Sequence, residues 1–488
     1  MTENIARSFI ETVSRLPNKP FLVAPDGREF KYKEVYSRAR KFAYVLSSNG
    51  IKPAHRVILT FPNSVDYICA YLGLLLYGCT GILVDYRSRP DHLKYVYDNC
   101  EASLMVTPEK RAGFEEIPGQ LVFPSNLDEY PEIPENEIDT DWNPLALIMY
   151  TSGSTGIPKG VMLSHANLSH TISSIIEWAG IDENDRELTT LSLTHLFGLA
   201  HIHIYWTRGG TVYIEEKLND IPDLLNKIES ERITSFPGTP GGFKLILDQF
   251  PEQFKEHCKN LKYIIVNSAP MDEVYIEKVL ELLPDTRFYM YYGLTEASRS
   301  TRICYNEHPD KLKSVGTPTP GSEVIVGTSG DRLIDQIGEI LIKGPHVTSG
   351  YWGMDSSEFF DNGWFKTGDL GIMDADGFIT WEGRLKEQIN IDGLKLVPGE
   401  VEMVLMTHER VLDCAVVGAP DELTGECVIG FAVVDAKPDK KLEIDLRKHC
   451  MRKLEVYKIP RRIIFVDEIP KTDSGKVKRV LLKERLRR

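Results

Sequence analysis

The chain reads as an α/β protein of more than one structural unit, and three observations carry that reading. Its 488 residues exceed one ordinary core, at roughly 100–200 residues per domain. Helix-period segments and short apolar strands alternate along it, as in α/β proteins. Its charge balance reverses near Gly383. From residue 384 to 488 there are 22 Lys+Arg against 18 Asp+Glu, in a chain that totals 57 against 71. A basic C-terminal unit therefore follows an acidic body.

The elements follow in order. Residues 32–48 predict a helix, because Val35, Ala39, Phe42 and Leu46 share one face. Residues 56–61 (RVILTF) predict a strand. Residues 67–84 run without a charge, just long enough for a membrane span. Gly78 and Gly81 divide the run instead into a buried helix and a buried strand, which Asp85 ends, so no span is expected. Residues 103–106 predict another short strand. Residues 128–141 are acidic and contain Pro131 and Pro134, which marks an exposed connection. Residues 145–150 (LALIMY) are a buried strand directly before a Gly/Ser/Thr-rich loop, with a helix expected after Ser164. Later strands are expected at 263–266, 287–291 and 338–342.

Composition removes several classes. With 42% hydrophobic and 26% charged residues, the chain is too apolar for disorder. A net charge of −14 opposes a broad nucleic-acid surface. The eight cysteines form no CxxC pair, so neither a zinc site nor a disulfide framework is expected. They fit a reducing, cytoplasmic setting. The opening MTENIARSFIETVSR carries acids and no apolar core, so it does not read as a signal peptide.

The chemistry concentrates in a few strings. The first is Thr151-Ser152-Gly153-Ser154-Thr155-Gly156-Ile157-Pro158-Lys159-Gly160. Glycines let a backbone turn its N–H groups onto an anion, hydroxyls add donors, and Lys159 adds positive charge. The string suits a polyphosphate but is not a Walker A motif.

That string resembles the phosphate loop of the adenylate-forming superfamily, which includes acyl-CoA synthetases, peptide-synthetase adenylation domains and luciferases. The resemblance continues in order. Residues 195–199 (HLFGL) resemble the acyl-pocket segment, 292–296 (YGLTE) the adenylate-site motif and 365–369 (FKTGD) the ribose motif. Residues 383–387 (GRLKE) resemble the interdomain hinge, and 470–476 (PKTDSGK) the C-terminal catalytic loop. The resemblance implies a large N-terminal domain of stacked α/β subdomains over 1–383. It implies a small, mobile α+β domain over 384–488.

It also implies roles. Lys476 would bridge the attacking carboxylate and the α-phosphate of ATP. Thr295 would contact that phosphate, and Glu296 would hold Mg2+, a hard cation that prefers oxygen ligands. Asp369 would bind both ribose hydroxyls, with Arg384 beside it. Tyr292 and Gly293 belong to the adenylate site, and Ser268, Ala269 and Pro270 to the adenine side. His195 would gate the acyl pocket. The loop 388–398, with Gly393 and Lys395, would line the pantetheine path after domain rotation.

Substrate choice is narrowed by what is missing. The segment Ser192-Leu193-Thr194-His195 has no acid to hold an α-ammonium, which disfavours amino acids. The run from Gly368 to Gly383 has no insertion, unlike ligases that stop at acyl-AMP. His201, His203 and Trp206 follow the pocket segment, and at least two of them are expected to pack or face solvent. Asn267 and Ser268 stand where many relatives have glycine, which narrows or polarises the pocket. The expectation is an acid–thiol ligase that uses ATP and CoA. A carrier-protein phosphopantetheine is the alternative acceptor, and a non-catalytic nucleotide-binding relative the alternative class.

Overall fold

A computed structural model describes residues 4–138, 143–151, 157–216, 218, 220–421, 423–471 and 477–486. Its strands form three sheets, of six, fifteen and five strands. The six-stranded sheet runs in the order 120–122, 104–107, 56–59, 80–83, 145–151, 159–164. Its members are parallel except for the last, which returns antiparallel to 145–151. Buried β-strands of this kind read as continuous apolar runs, as RVIL and TGIL do here.

The helix Tyr32–Ser48 and the strand Tyr263–Val266 match their expected ranges. The uncharged run divides as anticipated, into helix Val65–Leu76 and strand Thr80–Leu83. Gly78 lies between them at φ +73°. No helix among the described residues is long and apolar enough to cross a membrane. The expected exposed connection differs in detail. It holds two 3-10 turns, at Leu127–Glu129 and Glu135–Glu137, and buries Ile133. Arg40 reaches it, donating to the Ile133 carbonyl and pairing with Glu132 at 2.8 Å.

The fifteen-stranded sheet has a parallel half and an antiparallel half. Strands 20–23, 211–214, 186–189, 235–238, 263–266 and 287–292 run parallel. From 301–304 onward the partners alternate in direction, through 314–318, 379–384 and 364–373 to 337–343. The loops that carry chemistry leave the carboxyl ends of the parallel strands, where open α/β sheets bind ligands.

The five-stranded sheet uses only residues from 389 to 465, and its apolar cluster lies between Ile389 and Ile463. Helices Pro398–Met406 and Lys440–Met451 pack on it.

Helices Tyr32–Ser48 and Val65–Leu76 cross closely at Gly73. A Cβ there would sit 2.4 Å from the Ala39 carbonyl oxygen and 3.2 Å from the Phe42 ring. Backbone cannot yield cheaply in a packed interior. Gly73→Ala should therefore destabilise the protein by about 1–3 kcal/mol, read as a lower denaturant midpoint at unchanged slope. An unchanged midpoint would show that the two helices separate freely.

Candidate active site

Asp369 sits in the strand Trp364–Met373, directly opposite Arg384 in the strand Ile379–Arg384. It is 1% exposed. The Tyr292 hydroxyl, from the adjoining half of the sheet, donates to its Oδ2 at 2.7 Å. Arg384 Nε lies 2.9 Å from Oδ1. Its N–H is not aligned to donate, and Oδ1 remains buried with no hydrogen bond. Burial, and then the carboxylate beside it, push the Tyr292 phenol far above its ordinary pKa, so it stays a donor. A buried acceptor left open is costly. A ribose hydroxyl is the kind of donor it fits.

Thr295 and Glu296 occupy a tight turn between strands 287–292 and 301–304. Leu294 and Ala297 exchange both backbone hydrogen bonds, at 3.0 and 3.2 Å. Gly293 allows the close return, since a Cβ there would lie 2.3 Å from the Arg299 nitrogen. The Glu296 carbonyl accepts from the Thr348 N–H at 2.7 Å, and its Oε1 accepts from the Tyr351 hydroxyl at 2.9 Å.

Tyr351 also meets the phosphate string. Lys159 Nζ lies 5.2 Å from its ring centroid and 4.3 Å from that of Phe359. Thr151 and Lys159 are register partners of the antiparallel pair 145–151 and 159–164. The string therefore closes a hairpin. The helix expected after Ser164 does begin at His165, with Ser164 as its N-cap, but the strand Lys159–Ser164 intervenes. Ser152, Gly153, Ser154, Thr155 and Gly156 lie outside the described residues.

Lys476 also lies outside the described residues. Its flanks are placed. Lys471 and Val477 form an antiparallel bridge, and Lys471 bonds Asp413 at 2.6 Å. Arg479 grips Glu402 at 2.7 and 2.9 Å and Glu387 at 2.8 Å. Glu387 follows Lys386, so the segment leaving the catalytic loop is anchored to the hinge.

The acyl side is built on the helix Leu196–Arg208. His195, its N-cap, is exposed. His201, His203 and Trp206 are all buried. His201 Nδ1 meets Glu187 Oε2 at 2.8 Å, and His203 Nε2 meets the Tyr71 hydroxyl at 3.1 Å. Burial, and then the Arg299 charge, hold His203 down to about 3, so it stays neutral. All three thus pack. Ser268 adopts φ +92°, which is strained for a residue with a Cβ, and its N–H bonds the Asn267 side chain. Ala269 is half-buried and Pro270 exposed.

Gly393 (φ +82°) and Lys395 lie on an exposed hairpin, 389–391 to 394–396. Among the described residues, no hydrogen bond or ion pair joins that hairpin to Asp369 or Glu296. Sequence reasoning missed Tyr351, Phe359, Glu187 and Arg299. None of them carries a local sequence signature, because each takes its role from partners distant in the chain.

Among the described residues, no group of three or more His, Cys, Asp or Glu side chains forms a metal cage. Glu296 offers a carboxylate to the Tyr351 hydroxyl, whose ring also meets Lys159. That donor set fits Mg2+, which is commonly held by one or two carboxylates plus substrate phosphates.

The chain resembles known proteins over most of its length. Residues 9–352 match the model of the AMP-binding enzyme family, and residues 400–476 match the AMP-binding enzyme C-terminal domain. A feruloyl-CoA synthase from Amycolatopsis sp is 30% identical, over 92% of this chain and 93% of its own length. An o-succinylbenzoate CoA synthetase from Bacillus subtilis, solved with its acyl-adenylate, superposes with a TM-score of 0.89 at 25% identity, over 98% and 97% of the two chains. ATP-bound MatB from Rhodopseudomonas palustris superposes with a TM-score of 0.89 at 27% identity, over 98% of each chain. The phosphate hairpin, the Thr295–Glu296 turn and the Asp369 carboxylate thus belong to a two-part chain matched along nearly its whole length, and this chain is a member of the AMP-binding enzyme family.

Proposed function

We propose that this chain activates a small carboxylic acid with ATP and passes the acyl group to CoA. The observation that carries the reading is the buried Oδ1 of Asp369, which pairs with the Arg384 charge at 2.9 Å but accepts no hydrogen bond. It supplies an acceptor for a nucleotide's ribose. Lys159 and Glu296, brought together by Tyr351, supply charge and a cation ligand for its phosphates. CoA ligases among the relatives support the second half of the reaction.

In the first step a carboxylate oxygen of the acid attacks the α-phosphorus. The bond from that phosphorus to the pyrophosphate oxygen breaks, and acyl-AMP forms. Negative charge grows around the phosphorus, so preorganised donors and cations lower the barrier. Lys476 contributes an ammonium, Thr295 a hydroxyl donor, and the loop of Thr151, Ser152, Gly153, Ser154, Thr155 and Gly156 its backbone N–H groups. Mg2+ at Glu296 would offset phosphate charge. Tyr292 and Arg384 hold Asp369, and Ser268, Ala269 and Pro270 flank the adenine. In the second step a thiol sulfur attacks the acyl carbon, and AMP leaves. Gly393 and Lys395 serve that step, after the unit 384–488 rotates about Lys386. His195, exposed at its helix N-terminus, gates entry of the acid. The eight cysteines are unpaired, and we place the reaction in the cytoplasm.

Asp369→Asn keeps the size of the side chain and removes one acceptor. It should weaken ATP binding by about 1–3 kcal/mol and erase discrimination against 2′-deoxy-ATP. Titration of both nucleotides on the folded variant checks this, and an unchanged preference for ATP would refute the ribose role.

Lys476→Ala should slow acyl-AMP formation by about 10²–10³-fold. Supplied with synthetic acyl-AMP, the same variant should make thioester near the wild-type rate. Paired single-turnover assays separate the two, and equal loss in both steps would make Lys476 structural.

Lys386→Pro fixes φ and removes a backbone donor. It should leave one half-reaction intact and impair the other, as expected where a hinge residue absorbs the backbone change. Equal loss of both rates in a folded variant places the hinge elsewhere.

A further inference from the structure

Arg299 is the least expected side chain in the molecule. It lies three residues after Glu296, is 2% exposed, and has a left-handed backbone at φ +61°. A bulky residue held there is strained. Burial pulls its pKa down by penalising the charge. Among the described residues no carboxylate comes within ion-pair distance of it. Its guanidinium donates to Ser298 Oγ at 3.0 Å and to the Phe197 carbonyl at 3.3 Å. A guanidinium carries five N–H donors, so most of its capacity is unspent. Glu187 acts on it through space; its Oε2 meets His201 at 2.8 Å and Ser235 at 3.0 Å, while its Oε1 is buried with no hydrogen bond.

The surroundings share this unfilled polarity. The guanidinium stacks on the Tyr291 ring, 4.6 Å from its centroid. The Tyr291 hydroxyl is buried with no hydrogen bond, although Asn267 lies near enough to act on it. Phe197 packs edge-on against the same ring, at 5.5 Å. Successive side chains of a strand point to opposite faces. Tyr292 faces Asp369, on the nucleotide side, so Tyr291 and Arg299 lie on the other side, towards the acyl-pocket segment.

We propose that Arg299 binds a second carboxylate of the substrate, so that the acid activated is a dicarboxylate with one end reacting and the other held by this guanidinium. The proposal rests on the ligase reading above. A guanidinium matches a carboxylate with two parallel hydrogen bonds, which would use the idle donors and neutralise a buried charge. Asn267 and the Tyr291 hydroxyl supply further donors to the same group. A plain fatty or aromatic monoacid would offer the remaining guanidinium donors no such partner.

The test is ATP–pyrophosphate exchange with acids matched in carbon number, on wild type, Arg299→Met and Arg299→Lys. The pairs are succinate with butyrate, glutarate with pentanoate, and terephthalate with benzoate. A site built to bond a polar group rejects the analogue that lacks it by large factors. Wild type should therefore favour at least one diacid over its monoacid partner by ~10²-fold or more in kcat/KM. Arg299→Met should lose that preference, mainly through KM, and gain on the monoacid. Arg299→Lys should retain part of it, which keeps the test open if the methionine variant fails to fold. A wild-type preference for monoacids, with exchange intact, overturns the diacid assignment and leaves the ligase reading standing. Equal loss on every acid, restored by adding Glu187→Gln, overturns it as well, because Arg299 would then only balance Glu187. No exchange with any acid overturns both readings.

Discussion

Asp369 is a carboxylate taken almost wholly out of water and held by groups from two other strands. The Tyr292 phenol reaches it from the last of the parallel strands, and the Arg384 guanidinium from the strand that ends at the hinge. The carboxylate is buried while the arginine is 37% exposed, so removing either partner leaves a buried charge less well held. This contact therefore fixes the seam between the parallel and antiparallel halves of the large sheet. Its Oδ1 lies 2.9 Å from Arg384 Nε yet accepts no hydrogen bond. An acceptor already desolvated and aimed needs no reorganisation when a ligand arrives.

A second junction joins the two larger sheets. The segment 347–352 touches both the catalytic turn and the phosphate hairpin. Val347 bridges Ala297, Tyr351 bridges Val161, and the Trp352 N–H bonds the Gly160 carbonyl at 2.8 Å. Tyr351 thus lies between a lysine and a glutamate that are 137 positions apart in the chain. The six-stranded sheet carries the lysine and the fifteen-stranded sheet carries the glutamate, so the two residues share a partner only where the two sheets meet. Strand alternation then separates the partners of Tyr291 and Tyr292. Tyr292 meets Asp369, and Tyr291 on the opposite face meets Arg299.

Much of this was legible in the residues. Periodicity placed the helix Tyr32–Ser48 and the strand Tyr263–Val266 because local pattern and tertiary burial agree there. Gly78 divided the long apolar run because its left-handed backbone suits glycine. The ordered motifs marked Asp369 and Glu296. Other features were silent. The short strand Lys159–Ser164 hid between a loop signal and a helix cap, since KGVMLS has no clean alternation. Tyr351 and Arg299 carry no local signature, because their importance comes from partners far away in sequence.

By itself, the sequence determined the α/β class, the change of charge near the hinge and the identity of the chemistry-bearing strings, since each depends on residue type and local spacing. Tertiary structure alone decided that the phosphate string closes a hairpin, that Tyr351 joins Lys159 to Glu296, that one oxygen of Asp369 stays open, and that Arg299 is buried without a carboxylate partner among the described residues. Pairing, burial and unmet hydrogen-bonding capacity are properties of groups brought together from distant positions, and no local pattern encodes them.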